Sequence, residues 1–201
     1  MEKVLVTGAS GYIAEHCIVE LLKNGYAVKG SLRNMERENE VRDAIKKETQ
    51  DDNLEFCQLD LLSDDGWDDA MWDCDYLMHV ASPFTIDAPK DENELIKPAK
   101  EGTLRALNAA KKAGIKKVVL TSSTAAISSH MKGGTADHDT WTDIDSEYVT
   151  AYQKSKTIAE KAAWEFINNQ DENNKLEMAV INPGGVMGPQ LGNDLDGAST
   201  Q

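Results

Sequence analysis

Positive charge is scarce in this chain. Of its 201 residues, 21 are Lys or Arg against 35 Asp or Glu, a formal net charge of −14. Binding to nucleic acid or to an anionic membrane requires clustered cations, so we expect neither. Cysteine is also rare: Cys17, Cys57 and Cys74 are odd in number and lack metal-ligand spacing. That pattern points to reduced thiols in a cytoplasmic protein rather than a disulfide framework. The four histidines, His16, His79, His130 and His138, are scattered, so no metal site is expected. No apolar run approaches membrane-spanning length, and Met1-Glu2-Lys3 leads directly into a strand, so neither a span nor a signal peptide is expected. Internal repeats, low-complexity tracts and linkers are likewise missing.

What is present suits one large α/β unit. The hydrophobic content of 40% is ordinary and sufficient for a core. Acidic stretches such as Asp64-Asp65-Gly66-Trp67-Asp68-Asp69 read as solvated surface. Apolar runs and amphipathic segments alternate. Strands are expected at 3–7, 26–33, 54–59, 76–80, 116–122 and 176–181, and helices after the first turn, at 34–48, beyond Leu62, at 91–112 and from Tyr152 to about Asn168. Repeated βα units imply a parallel, doubly wound sheet with its site at the C-terminal strand ends. Asp60, Ala81, Ser82, Ser123 and Pro183 all fall at such ends.

The first strand and helix enclose Thr7-Gly8-Ala9-Ser10-Gly11-Tyr12-Ile13-Ala14. Gly8 permits a tight turn, and Gly11 lets backbone approach a pyrophosphate at the positive helix end. Ala14 is small enough for helix and strand to pack closely. In the helix, Ile13, Cys17, Val19, Leu21 and Leu22 are expected to form the apolar stripe. After the second strand, an acidic residue would clasp a ribose 2′-hydroxyl, whereas an arginine suits a 2′-phosphate. The chain has Ser31 and Arg33 there, with Arg37 close behind, which favours NADP(H) over NAD(H).

Tyr152 and Lys156 stand four residues apart and so share a helix face. A neighbouring ammonium favours the phenolate and is expected to lower the pKa of Tyr152. Tyr152 is then the proton donor or acceptor, and Ser123, arriving from a strand end, steadies the charge developing on a substrate oxygen. Tyr-x-x-x-Lys also occurs on ordinary helices, where the tyrosine packs and the lysine is solvated. The glycine turn upstream is what favours catalysis here.

These segments, together with His79-Val80-Ala81-Ser82-Pro83, Leu120-Thr121-Ser122-Ser123, Asp137-His138-Asp139-Thr140-Trp141-Thr142-Asp143 and Tyr152-Gln153-Lys154-Ser155-Lys156-Thr157-Ile158-Ala159-Glu160-Lys161, resemble an extended short-chain dehydrogenase/reductase. The similar branch holds dihydroflavonol reductases, cinnamoyl-CoA reductases and yeast-type methylglyoxal and aldehyde reductases. The resemblance implies an NAD(P)-binding Rossmann fold. It implies that Gly8, Gly11, Tyr12 and Ile13 line the pyrophosphate turn, Arg33 meets the 2′-phosphate, and Asp60 and Leu61 hold the adenine. It further implies that Ala81 and Ser82 flank the nicotinamide, that Pro183 and Gly184 lie against it, and that Lys156 also bonds its ribose. Ser123 rather than Ser122 is the expected oxygen clamp, because the family's serine is the second of the pair.

Two departures stand out: the first leaves the family's helper residues at the long helix open, and the second bears on substrate. Glu101 stands before Gly102-Thr103 where extended members carry asparagine, and Ser128 stands where plant dihydroflavonol reductases carry an asparagine that reads the flavonoid. Simpler aldehydes and ketones are therefore favoured. Family members also continue past Asn182-Pro183-Gly184 into a smaller substrate domain. We expect residues 1–190 to form the cofactor domain with the catalytic residues, and residues 191–201 to open a truncated substrate segment. The resemblance implies a monomer or homodimer acting on a small carbonyl or alcohol. A nucleotide-sugar epimerase or dehydratase using NAD, and a non-catalytic NADP sensor, remain as alternatives. Arg33 speaks against the first, and retention of both Tyr152 and Lys156 against the second.

Overall fold

The computed structural model describes residues 1–85, 88–129, 131 and 133–192. Six parallel strands, β1 (Lys3–Val6), β2 (Ala27–Leu32), β3 (Leu54–Gln58), β4 (Tyr76–His79), β5 (Lys117–Thr121) and β6 (Glu177–Ile181), make one sheet in the order β3-β2-β1-β4-β5-β6. Chain progression reverses between β1 and β4, which opens a crevice at their C-terminal ends. The helices are α1 (Tyr12–Lys23), α2 (Glu38–Lys46), α3 (Trp67–Met71), α4 (Asn93–Ala113) and α5 (Ala151–Asn168).

Side chains of β1 alternate between two cores, as the pleat requires. Leu5 joins Leu77 and Val118 against Trp67, Leu107 and Ile167 of α3, α4 and α5. Val4 and Val6 join Val28 against Ile18 of α1 and Val41 and Ile45 of α2. Central strands covered on both faces explain the near-continuous Val and Leu runs in the sequence. Toward β6 the second face thins, and Ile181 is 53% exposed.

Caps set the helix ends. α4 stops at Gly114, whose φ of +71° suits glycine and whose N–H returns to the Ala110 and Lys111 carbonyls. α5 starts with a reciprocal box: Thr150 Oγ1 accepts from Gln153 N at 3.3 Å, and Gln153 Oε1 accepts from Thr150 N at 2.8 Å.

Two expectations change in detail. The charged segment after β2 is not one helix. Asn34 caps a 3-10 turn over Met35–Arg37 before α2 begins, because its side chain accepts from Glu36 N at 3.0 Å. On α1, the side buried against the sheet carries Ala14, Ile18 and Val19. Of the expected stripe, Val19 belongs to it, and Leu21 and Leu22 pack against its edge, partly buried. Ile13 and Cys17 instead flank a groove also lined by Leu21, Val186, Met187 and Pro189. The returning segment is tied there by a hydrogen bond between His16 Nε2 and the Pro189 carbonyl at 2.9 Å.

Candidate active site

The turn after β1 is shaped by two glycines. Gly8 has φ +70°, and a Cβ there would stand 3.1 Å from Ala81 Cα, so backbone of β1 and β4 meet closely at this point. Gly11 precedes α1 without any side-chain cap, and a Cβ on it would stand 3.2 Å from the Gly8 carbonyl oxygen. An uncapped helix start beside a side-chain-free turn is a cradle for an anion. Ala14 is fully buried, as the close packing expected there requires.

Ser31 has a different job from the one its position suggested. Its hydroxyl is buried and accepts from Gly8 N at 3.1 Å, which ties the turn to β2. Arg37 is forked onto Glu40 at 2.9 and 3.0 Å. Arg33 is exposed, and among the described residues its guanidinium makes no ion pair. Of the two arginines, Arg33 is the one available to a phosphate.

Beneath the crevice lies a buried polar cluster absent from the sequence-based expectations. Thr7 Oγ1 accepts from Val80 N and Ala81 N, both at 3.0 Å, and lies 2.9 Å from His79 Nδ1. With its oxygen engaged by two backbone donors, the threonine hydroxyl gives its one proton to Nδ1, so the neutral imidazole carries its proton on Nε2. Burial, with Lys156 nearby, pushes the His79 pKa down to about 3. A void next to it has room for the centre of one water to range over about 10 Å³, and is lined by Ser122, Lys156 and Glu160 among others.

Ser122 and Ser123 part company at the end of β5. Ser122 Oγ is buried beside that void and bonds no protein atom among the described residues. Ser123 accepts from Ala125 N at 3.1 Å, and hydrogen bonding from its side chain favours the ionised form of Tyr152. Tyr152 and Lys156 both project from α5, the ammonium 6.0 Å from the phenol ring centre. Burial raises the Tyr152 pKa above its ordinary value, with Ser123 opposing. This differs from the expected lowering by Lys156. The lysine is itself buried, which drops its own pKa to about 8, against the pull of Glu160.

The remaining expected positions fall in several places. Asp60 Oδ1 accepts from Leu62 N at 2.8 Å and shapes the turn after β3. Leu61 lies against Gly102, where an added Cβ would come within 2.5 Å of it. Ala81 and Ser82 line the void with Lys156. The Pro183 carbonyl accepts from Thr124 N at 2.9 Å, and Gly184 faces Thr124. Tyr12 and Ile13 line the groove on the flank of α1. Phe84, which sequence reasoning missed, meets Tyr152 edge-on at 5.0 Å and is exposed. The signal for it was an apolar residue just past Ser82-Pro83. Of the expected boundary at residue 190, Leu191 packs into the α1/α2 core and the rest of 193–201 lies outside the described residues.

Known proteins resemble this chain in sequence and in fold. The chain is 40% identical over 195 residues to a cinnamoyl-CoA reductase of Medicago truncatula, covering 94% of this chain and 59% of that protein. It is 34% identical over 199 residues to tetraketide alpha-pyrone reductase 1 of Arabidopsis thaliana, covering 96% and 60%. Among solved structures, yeast methylglyoxal/isovaleraldehyde reductase complexed with NADPH superposes with a TM-score of 0.82 at 33% identity, covering 94% and 59%. The chain thus spans about three-fifths of the length of these relatives. A family model matches residues 4–200, so nearly every element described above is accounted for, and the chain belongs to the NAD dependent epimerase/dehydratase family, among the extended short-chain dehydrogenase/reductases.

Proposed function

We propose that the polypeptide carrying this chain reduces an aldehyde or ketone to an alcohol with NADPH. The observation that carries the reading is the meeting of Tyr152, Ser123 and Lys156, with Lys156 lining one void with Ala81, which packs on the Gly8 turn. The cradle at Gly8 and Gly11 fits a pyrophosphate, and the exposed Arg33 fits a 2′-phosphate. Tyr12 and Ile13 would border the first, Asp60 and Leu61 the adenine, and Ala81, Ser82, Pro183 and Gly184 the nicotinamide.

The chemistry NADPH supplies when bound is a hydride for the carbonyl carbon. Tyr152 gives its proton to the carbonyl oxygen, and Ser123 donates a hydrogen bond to the same oxygen as charge builds on it. Lys156 supplies a cation beside the phenol and holds the cofactor ribose. Phe84, packed on Tyr152, gives the carbonyl an aromatic wall, which suits substrates with an apolar substituent. In this reading residues 1–190 form the cofactor and catalytic domain of a cytoplasmic monomer or homodimer, and residues 191–201 lead toward the substrate domain. No helix of the described residues is long and apolar enough to cross a membrane.

The test is NADPH consumption by the full-length gene product against small aldehydes, α-dicarbonyls and aryl ketones, with NADH in parallel. Turnover with NADPH and little with NADH is expected. Tight NADPH binding without turnover of any carbonyl would redirect the assignment to sugar-nucleotide chemistry or to redox sensing.

A further inference from the structure

Glu160 is a buried carboxylate that the proposed chemistry does not use. It is 5% exposed and stands one helical turn beyond Lys156, itself 8% exposed, so both side chains leave the same face of α5. Both border the small void beneath the crevice, together with His79, Thr103 and Ser122. The carboxylate is held from two sides. Glu160 Oε2 accepts from Asn182 Nδ2 at 2.7 Å, and Oε1 from Trp164 Nε1 at 3.4 Å. The Asn182 amide also donates to the Ser123 carbonyl at 3.1 Å, so the group that grips Glu160 bridges the ends of β5 and β6.

Other groups facing Lys156 bring no negative charge. His79, from β4, is neutral with its Nδ1 engaged by Thr7. Thr103, from α4, and Ser122, from β5, are uncharged, and Tyr152 on α5 keeps its proton near neutral pH. Taking an ammonium out of water is unfavourable unless an opposite charge stands near it. Among the described residues no direct ion pair joins Lys156 to Glu160. Both line the void, which has room for a single water to bridge ammonium, carboxylate and the Ser122 hydroxyl.

We propose that Glu160 is a positioning residue, the fixed buried counter-charge that keeps Lys156 a cation in the site. The inference rests on the reading of Lys156 as a cofactor-binding and acid-tuning group, and gives that group its partner. Asn182 and Trp164 lock the carboxylate so that it attracts Lys156 across the void without pulling it away from the crevice.

The test uses the full-length polypeptide with ¹⁵N-labelled lysine, the Lys156 side-chain signal being assigned from Lys156→Met. Glu160→Gln preserves shape and the Asn182 contact while removing the charge. The midpoint of the Lys156 titration is expected to fall by about 1 unit, in the range that a nearby opposite charge produces. An unchanged midpoint in a folded Glu160→Gln protein overturns the proposal. Should that variant fail to fold, Lys156→Met/Glu160→Gln is expected to fold again, since neither charge is then left alone. Additive loss in the double variant overturns it as well. The titration requires neither cofactor nor substrate. A shifted midpoint, combined with undiminished NADPH affinity in Lys156→Met, would therefore reject the cofactor role of Lys156 and leave the charge pair standing.

Discussion

Thr7 gives its hydroxyl proton to His79 Nδ1 across 2.9 Å, while its oxygen accepts the N–H groups of Val80 and Ala81. One side chain at the end of β1 thereby fixes both the exit of β4 and the tautomer of a buried imidazole. In the fold the His79 pKa lies near 3, below its ordinary 6.5. The unfolded chain therefore binds the extra proton first as pH falls. The stabilising effect of the neutral ring is complete above about pH 6.5 and is lost toward pH 3, by up to about 1.4 kcal/mol per pH unit. In urea unfolding at pH 7, 5.5 and 4.5, His79→Gln should show a lower midpoint at pH 7 but a shallower decline than the parent. Parallel declines would mean that His79 protonates without penalty.

Arg33 and Arg37 separate as predictions because Arg37 is already paired with Glu40, whereas Arg33 makes no ion pair among the described residues. Arg33→Ala should weaken NADPH binding by about 10-fold or more, the loss of one charge-assisted contact, and leave NADH binding nearly unchanged. Arg37→Ala should alter the NADPH to NADH ratio far less. Fluorescence titration of both cofactors reads the difference, and equal losses for the two nucleotides in Arg33→Ala would remove Arg33 from the 2′-phosphate.

Tyr152→Phe should lower kcat for carbonyl reduction by at least about 100-fold, the usual scale for a positioned acid, with NADPH affinity within about twofold. Full activity in this variant would exclude the phenol as acid. Lys156 loses its charge as pH rises through about 8. Reduction should therefore decline on the alkaline side from about that pH, as a pH profile of kcat/KM would record.

Gly102 lies where α4 passes Leu61. A methyl group there would stand 2.5 Å from Leu61 Cδ2 and 2.8 Å from its Cβ, too close for both to stay. Gly102→Ala should lower stability by about 1–3 kcal/mol, the range for overpacking. If Leu61 contacts the adenine, NADPH and NADH affinity should fall together, because both cofactors carry that ring. A calorimetric melt and paired titrations test the two effects separately.

The sheet was legible because β1, β5 and β6 are short runs rich in Val, Leu and Ile and the helix ends carry plain signals, as at Gly114 and at Thr150 with Gln153. The glycine turn and the Tyr152–Lys156 pair were legible because both are local in sequence. What escaped depended on contacts between distant segments. Ile13 and Cys17 look like core by periodicity, but the arc of α1 they occupy faces residues 186–189, returning after β6. Ser31 sits where a specificity residue was expected, and its hydroxyl is taken by Gly8 N, which only the fold brings near. In the sequence His79 is one of four scattered histidines, and Glu160 is an unremarked member of the segment that begins at Tyr152. Their roles arise from burial around a shared void, which no spacing encodes.

Tyr152 is the second residue of α5, inside the turn held by the Thr150 and Gln153 box. The first turn of a helix opens and closes more readily than its middle. A cap of this kind contributes about 1 kcal/mol, so losing it would raise the frayed population of that turn about fivefold. The fraction of molecules with the phenol in register is thus set by a threonine two residues before it, and a folded chain can be idle simply because one turn of one helix is unwound.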